Sequence, residues 1–320
     1  MSLLLQEIKV GGILTPSNLP VCDFSANPYG GCAHACRYCY ASFMKRFTGH
    51  AEAWGTFVDV KTWPPIRRPE RYAGKEVFIG SVTDPYQPLE ETHRRTRALL
   101  EQLRGSGIAV SIATKSDLVL RDLDLIKTFS RARVSFSINT LDEDFRAEMD
   151  AAPSIARRLA AMEALHAAGI RTTCFISPIF PGITDVPAII RRARAHCNLV
   201  WLENLNLRGD YKARILAWIH ERHPDLDPLY DAIYRRGDRT YWRDLDAHLR
   251  AFAAAEGLPY LRADDTLRRP FDAPPAIVNY FYHEQVKKSA RKGQPCAKQK
   301  ECPPAASYAP WTDSRTANRR

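Results

Sequence analysis

The chain has no apolar run near the roughly 18 residues that a membrane-spanning helix needs, so no membrane is expected as a partner. Its opening, MSLLLQEIKVGGIL, lacks a basic segment ahead of the short apolar stretch and lacks a small-residue cleavage signal. No secretory leader is expected, and the expected compartment is the cytoplasm. No G-x-G-x-x-G and no G-x-x-x-x-G-K-S/T follows any strand-like run, which removes dinucleotide-binding and P-loop readings. A disulfide framework is also not expected in a leaderless chain of this length, so its eight cysteines ask for another explanation. What is present fits a folded globular protein with a large core: 320 residues, 45% hydrophobic and 26% charged.

Acidic residues are the scarcer charge, with 36 Asp and Glu against 46 Lys and Arg, a net charge of +10. The excess is uneven. Residues 287–320 hold nine basic residues against Glu301 and Asp313, which accounts for +7 of the total. A solvated basic tail is the plain reading of that segment, and a nucleic-acid-binding arm the sharper one.

Three cysteines fall within eight residues, Cys32, Cys36 and Cys39, in the spacing C-x3-C-x2-C. Such a loop can turn three thiolates toward one centre. A structural zinc site wants four ligands, so His34 or the distant Cys22 would have to complete it. An ordinary [4Fe–4S] cluster also takes four cysteines. Three thiolates on a cubane leave one iron open to an exogenous ligand.

From the cysteine loop to about residue 205, strand-like and helix-like runs alternate. Strands are expected at Glu76–Ser81, Ile108–Thr114, Arg133–Asn139, Ile170–Ser177 and Leu199–Glu203, with one more before the cysteine loop. Helices are expected at Leu89–Leu103, Arg121–Phe129, Ser154–Ala168 and Asp185–His196. About six β/α units of this kind imply parallel strands with right-handed crossovers, in an open sheet or a barrel. Parallel barrels build their sites at the C-terminal strand ends. Those ends are polar here: Ser81, Thr83 and Asp84 after the second strand, Lys115 after the third, Ser137 and Asn139 on the fourth, Ser177 on the fifth. Each alone reads first as a cap or turn residue; together they read as a ligand cradle.

The string from Gly31 to Ala41 has Tyr38 as the aromatic residue before the third cysteine. With Thr83-Asp84, Thr114-Lys115, Phe136–Asn139 and Ile176–Ile179 in order, it resembles the radical SAM superfamily, and within it the spore photoproduct lyase (DNA repair photolyase-like) family. The resemblance covers roughly residues 20–205. It implies a partial (β/α)6 barrel, a [4Fe–4S] cluster on Cys32, Cys36 and Cys39, and S-adenosylmethionine (SAM) on the open iron. It implies Lys115 near the SAM carboxylate, Ser137 and Asn139 toward its ribose and methionine side, and Tyr38 along the adenine. Thr83 matches a SAM-contacting serine, with Asp84 and Ser177 completing the cradle. The implied chemistry is reductive cleavage of SAM to a 5′-deoxyadenosyl radical that abstracts hydrogen from a substrate. A DNA or RNA substrate and an electron donor such as flavodoxin or ferredoxin are the implied partners. One departure matters: where the lyase carries a hydrogen-donating cysteine on the second strand, this chain has Ser81. A serine O–H bond is too strong for that step, which turns attention to Tyr40, Tyr86 or Cys174.

The expected organisation is a barrel over residues 20–206, a helical extension over 207–286 packing on it, and the basic tail over 287–320. Tyr234, Tyr241 and Trp242 beside the Arg235–Arg239 turn read first as core aromatics and second as a nucleic-acid surface. Cys296 and Cys302 read as part of a mobile segment, with an auxiliary cluster as the lesser alternative. The sequence is compatible with three functions. One is a radical SAM enzyme on a nucleic acid or nucleotide, another a radical SAM enzyme on a peptide or small metabolite. The third is a non-catalytic, zinc-stabilised nucleic-acid-binding protein.

Overall fold

The computed structural model describes residues 3–19, 21–262 and 276–280. The basic tail, Cys296 and Cys302 lie outside the described residues. Twelve strands are described: β1 Leu4–Lys9, β2 Thr15–Pro16, β3 Phe24–Ala26, β4 Tyr29–Gly31, β5 Phe57–Thr62, β6 Glu76–Ile79, β7 Ala109–Thr114, β8 Ala132–Ser137, β9 Arg171–Ile179, β10 Leu199–Asn204, β11 Tyr260–Arg262 and β12 Ala276–Tyr280. The helices are α1 Glu90–His93, α2 Arg95–Leu103, α3 Leu123–Ile126, α4 Glu143–Met149, α5 Ile155–Ala167, α6 Val186–Ala193, α7 Gly209–Arg222, α8 Asp227–Tyr234 and α9 Thr240–Ala255. No helix among the described residues is long and apolar enough to cross a membrane.

The main sheet runs β11-β12-β10-β9-β8-β7-β6-β3-β2. The six expected strands are β3, β6, β7, β8, β9 and β10, all parallel and in simple order. Helices cross between successive strands from β6 to β10, while the cysteine loop, β4 and β5 link β3 to β6, giving the α/β partial barrel that alternation implies. The extension after residue 206 is not purely helical. It returns two strands to the sheet, with β12 inserted between β10 and β11. A second sheet, β1-β5-β4, was not legible in the sequence; its strand β4 runs straight into Cys32.

Side-chain alternation sorts the sheet's two faces. Val77, Ile79, Val110, Ile112, Val134, Phe136, Cys174, Ile176, Val200 and Leu202 share a core with Leu99, Leu103, Leu159, Met162 and Ile189 of the helices. The opposite face carries the rows Ser111–Arg133–Arg171 and Ala113–Ser135–Thr173, then Ser137–Phe175–Trp201. Because successive residues point to opposite sides of a strand, one face is apolar and helix-covered while the concave face is largely polar. Cys174 belongs to the apolar face, so the structure turns it away from the concave side where a hydrogen donor would be needed.

The helices depart from expectation where side chains intercept the backbone. The run expected at Leu89–Leu103 breaks at Arg94, whose φ is +50°. There the Thr96 and Arg97 N–H groups donate to the buried Glu90 carboxylate instead of continuing one helix from α1 into α2. The run expected at Arg121–Phe129 contracts to α3, preceded by a 3₁₀ turn. α5 keeps its expected limits, with Ser154 capping its start and Gly169 following its end at φ +83°. In the extension, Trp242 is in the main core, the Tyr234 hydroxyl donates to the Leu205 carbonyl, and the Gly182 N–H donates to the Tyr241 hydroxyl. The core reading of these aromatics holds.

Candidate active site

The cysteine loop leaves β4 and enters a 3₁₀ helix at Tyr40–Phe47. Its path is tight: Ala35 sits at φ +48°, a left-handed conformation that costs a non-glycine residue on the order of 1 kcal/mol. Gly55 lies against it so closely that a Cβ there would stand 2.9 Å from the Ala35 Cα. Burial pushes all three thiols up from their ordinary range. The Trp54 indole N–H donates to the Cys39 sulfur at 3.2 Å, which favours its thiolate.

Two segments distant in sequence clamp this loop. From the end of β6, the Thr83 hydroxyl donates to the Gly31 carbonyl at 2.5 Å and the Gln87 side-chain oxygen accepts the Ala33 N–H at 2.8 Å. Asp84 lies 3.2 Å from the buried His34 Nε2. The same carboxylate accepts the Lys115 N–H at 2.7 Å, the Thr114 hydroxyl at 2.7 Å and the Tyr86 N–H at 2.9 Å. Burial opposes its charge, yet His34, Thr114 and the Lys115 N–H hold Asp84 below the usual carboxylate value. From the turn after α4, the Met149 carbonyl accepts the Arg37 N–H and the Ala151 N–H donates to the His34 carbonyl. There the Tyr38 hydroxyl donates to Asp150 at 2.9 Å.

Asp150 anchors a buried ionic group. The fully buried Arg158 donates to it at 2.9 Å, and the Lys115 ammonium stands 3.9 Å away while donating to the Tyr38 hydroxyl at 3.1 Å. Burial resists ionisation of Asp150, but Lys115 and Arg158 together lower its pKa. Arg158 also donates to the Ser137 carbonyl at 3.2 Å, so this cluster joins the cysteine loop to the end of β8. The Tyr38 ring packs on Phe180, with the Lys115 ammonium 5.3 Å from its centre.

The sequence candidates thus separate. Cys32, Cys36, Cys39, Tyr38, Thr83, Asp84 and Lys115 form one bonded assembly at the C-terminal ends of the strands. Ser137 and Ser177 share the concave face, and the Ser177 hydroxyl donates to Glu203 at 2.6 Å. Ser81 exchanges hydrogen bonds with Asn27 at 2.9 and 3.4 Å, while the exposed Tyr40 reaches over to donate to the Ser81 carbonyl. Tyr86 is not brought to this mouth: it is fully buried in the main hydrophobic core. Gln87, Asp150, Arg158 and Glu203 escaped sequence reasoning. Burial pushes the Glu203 carboxyl up, against the Ser177 hydrogen bond.

The donor set suits the groups that the resemblance implies. Asn139 is buried, and its Nδ2 has no partner among the described residues, an amide donor left for a ligand. Lys115 spends one N–H on Tyr38 and has others to give. The zinc reading gains nothing. His34 faces Asp84, and Cys22 lies just before β3, toward the opposite end of the strands. Among the described residues no three His, Cys, Asp or Glu side chains converge on a single metal ion. Thiolates of a cubane each take a different iron, so they need not meet at one point.

Comparison with known proteins agrees. Residues 26–192 match the radical SAM superfamily. An uncharacterized protein of Methanocaldococcus jannaschii is 33% identical over 220 residues, covering 68% of this chain and 83% of that protein. An uncharacterized Mycobacterium tuberculosis protein is 31% identical over 231 residues, covering 67% and 68%. Among solved structures, a spore photoproduct lyase mutant with dinucleoside spore photoproduct superposes with a TM-score of 0.56. It covers 87% of this chain and 82% of the lyase at 16% identity, which speaks to the fold. The chain belongs to the radical SAM superfamily.

Proposed function

We propose that this protein is a radical SAM enzyme that uses a [4Fe–4S] cluster held by Cys32, Cys36 and Cys39 to act on a nucleic acid or nucleotide, as a lyase-like repair or modification enzyme. The reading is carried by one observation, a three-thiol loop clamped at the C-terminal ends of parallel strands beside a polar concave face. When bound, the cluster and SAM supply reductive cleavage of SAM to methionine and a 5′-deoxyadenosyl radical. The chain's own residues bind and orient. Lys115 offers an ammonium to the SAM carboxylate, and the unpartnered Asn139 amide offers a hydrogen bond. Ser137, Ser177 and Thr83 line the same mouth. Tyr40 closes over Ser81, and managing a substrate radical is the role proposed for these two. Support for a nucleic-acid substrate comes from the order of strand-end motifs and from a protein of this fold solved with a dinucleoside. A flavodoxin or ferredoxin is the proposed electron source.

Anaerobic reconstitution tests the first half: about four irons per chain are expected, and Cys32→Ala, Cys36→Ala or Cys39→Ala loses them. The second half is read from 5′-deoxyadenosine formed in D₂O with damaged DNA, RNA or nucleotides. Stimulation by peptides or small metabolites and by no nucleic acid would move the enzyme to a different substrate class.

A further inference from the structure

The 3₁₀ helix that follows Cys39 presents an outer face unusual for a protein surface. Phe43 is 46% exposed and Phe47 is 65% exposed. The Arg46 guanidinium lies between them, 5.6 Å from the Phe43 ring centre and 4.6 Å from that of Phe47. Between Asp23 and Glu52 the sequence has no acidic residue, while Arg37, Lys45 and Arg46 are all basic. Two solvent-facing rings beside an arginine therefore offer an apolar and cationic surface. The same helix begins with Tyr40, whose hydroxyl donates to the Ser81 carbonyl, so one short helix carries both the outer rings and a side chain of the reaction site.

A nucleobase is flat, apolar on its faces and tied to an anionic phosphate. Base–aromatic stacking with nearby arginines is the usual way to hold a single strand. A duplex hides its base faces, so it cannot use such a surface without extruding a nucleotide. We infer that the Tyr40–Phe47 helix is a stacking rail for single-stranded or extruded nucleotides, which leads them toward the mouth of the barrel. Phe43 and Phe47 hold bases and Arg46 meets the backbone. This rests on the nucleic-acid reading above, and it moves strand recognition from the basic tail to the edge of the cysteine loop.

The test is fluorescence anisotropy with the reconstituted full-length enzyme and SAM. The probes are a labelled thymidine strand of about twelve nucleotides and its duplex. The single strand binds more tightly. Phe43→Ala and Phe47→Leu each weaken it roughly tenfold, whereas Phe47→Trp, which keeps a flat ring, does not. Arg46→Gln lowers the salt slope by about one. Iron content and thermal midpoint stay at parental values, because these side chains are exposed. If the parent binds the strand and all four variants match it, the rail is wrong and the proposed substrate class stands. If the parent binds neither strand nor duplex at about 0.1 M salt, the rail falls, and 5′-deoxyadenosine formation with damaged DNA, RNA or nucleotides decides the substrate class separately. Parental oligonucleotide affinity with slowed reduction by flavodoxin would overturn the rail and give this face to the electron donor.

Discussion

Asp84→Asn is the sharpest probe of how the cysteine loop is held. The carboxylate has two oxygens and four neighbours. One oxygen accepts the Tyr86 N–H and the Thr114 hydroxyl; the other accepts the Lys115 N–H and faces His34. An amide keeps one oxygen and replaces the other with a donor. If its oxygen stays toward Lys115, its NH₂ confronts the Tyr86 N–H, while the Thr114 hydroxyl can turn to accept. One buried N–H is then left unpaired, at about 1–3 kcal/mol, and the surviving bonds lose charge assistance at about 1 kcal/mol each. The expected loss is roughly 3–5 kcal/mol, read as a shift of the urea midpoint of reduced apoprotein under anaerobic conditions. The pH dependence gives a second reading. Asp84 has a folded pKa below its unfolded value, so its stabilisation is present above about pH 4 and is lost as pH falls through the folded value. The gap between parent and variant therefore narrows in acid. A loss under about 1 kcal/mol, or a gap that does not change on acidification, would refute the clamp.

Other positions yield further expectations. Gly31 has φ +79°, and a Cβ there would run into the Phe57 carbonyl oxygen; Gly31→Ala should displace Cys32 and abolish iron retention while the chain stays folded by circular dichroism. Arg158→Met leaves Asp150 buried without its closest cation and should cost about 3–5 kcal/mol in urea unfolding, a near-neutral result counting against the ionic anchor. His50, hydrogen-bonded to Asp59 at 2.8 Å, holds its proton above the ordinary imidazole value. It contributes stability fully below about pH 6.5, and that contribution disappears as pH rises through the raised folded value. An NMR titration of His50 with its midpoint at or below about 6.5 would contradict this.

The thiols and the six parallel strands were legible because their signals are local. Cys32 and Cys39 lie within one loop, and five of the strands announce themselves by short β-rich runs alternating with helical ones, while the sixth was expected before the loop without limits. The clamp was not legible, since Asp150 and Arg158 reach Tyr38 and Lys115 only through folding. Gln87 reads as an ordinary polar residue until its side chain is seen to bond the Ala33 N–H. Polar strand ends indicated a mouth but not the direction of each side chain. The string Thr83–Tyr86 sends Thr83 to the cysteine loop, spends Asp84 on internal bonds and buries Tyr86 in the core. β1 escaped notice because it is exposed along most of its length and pairs with β5, far along the chain.

The position of β12 has a consequence for how the protein is made. β12 is the described strand latest in the chain, yet it pairs directly with β10. About 70 residues separate the two, and at about 5–20 residues per second the ribosome takes roughly 4–14 s to add them. Through that interval the outer edge of β10 offers its unpaired backbone to any neighbouring nascent chain. Helices α7–α9 are synthesised in that window, and in the finished fold α9 lies against α6, the helix that precedes β10.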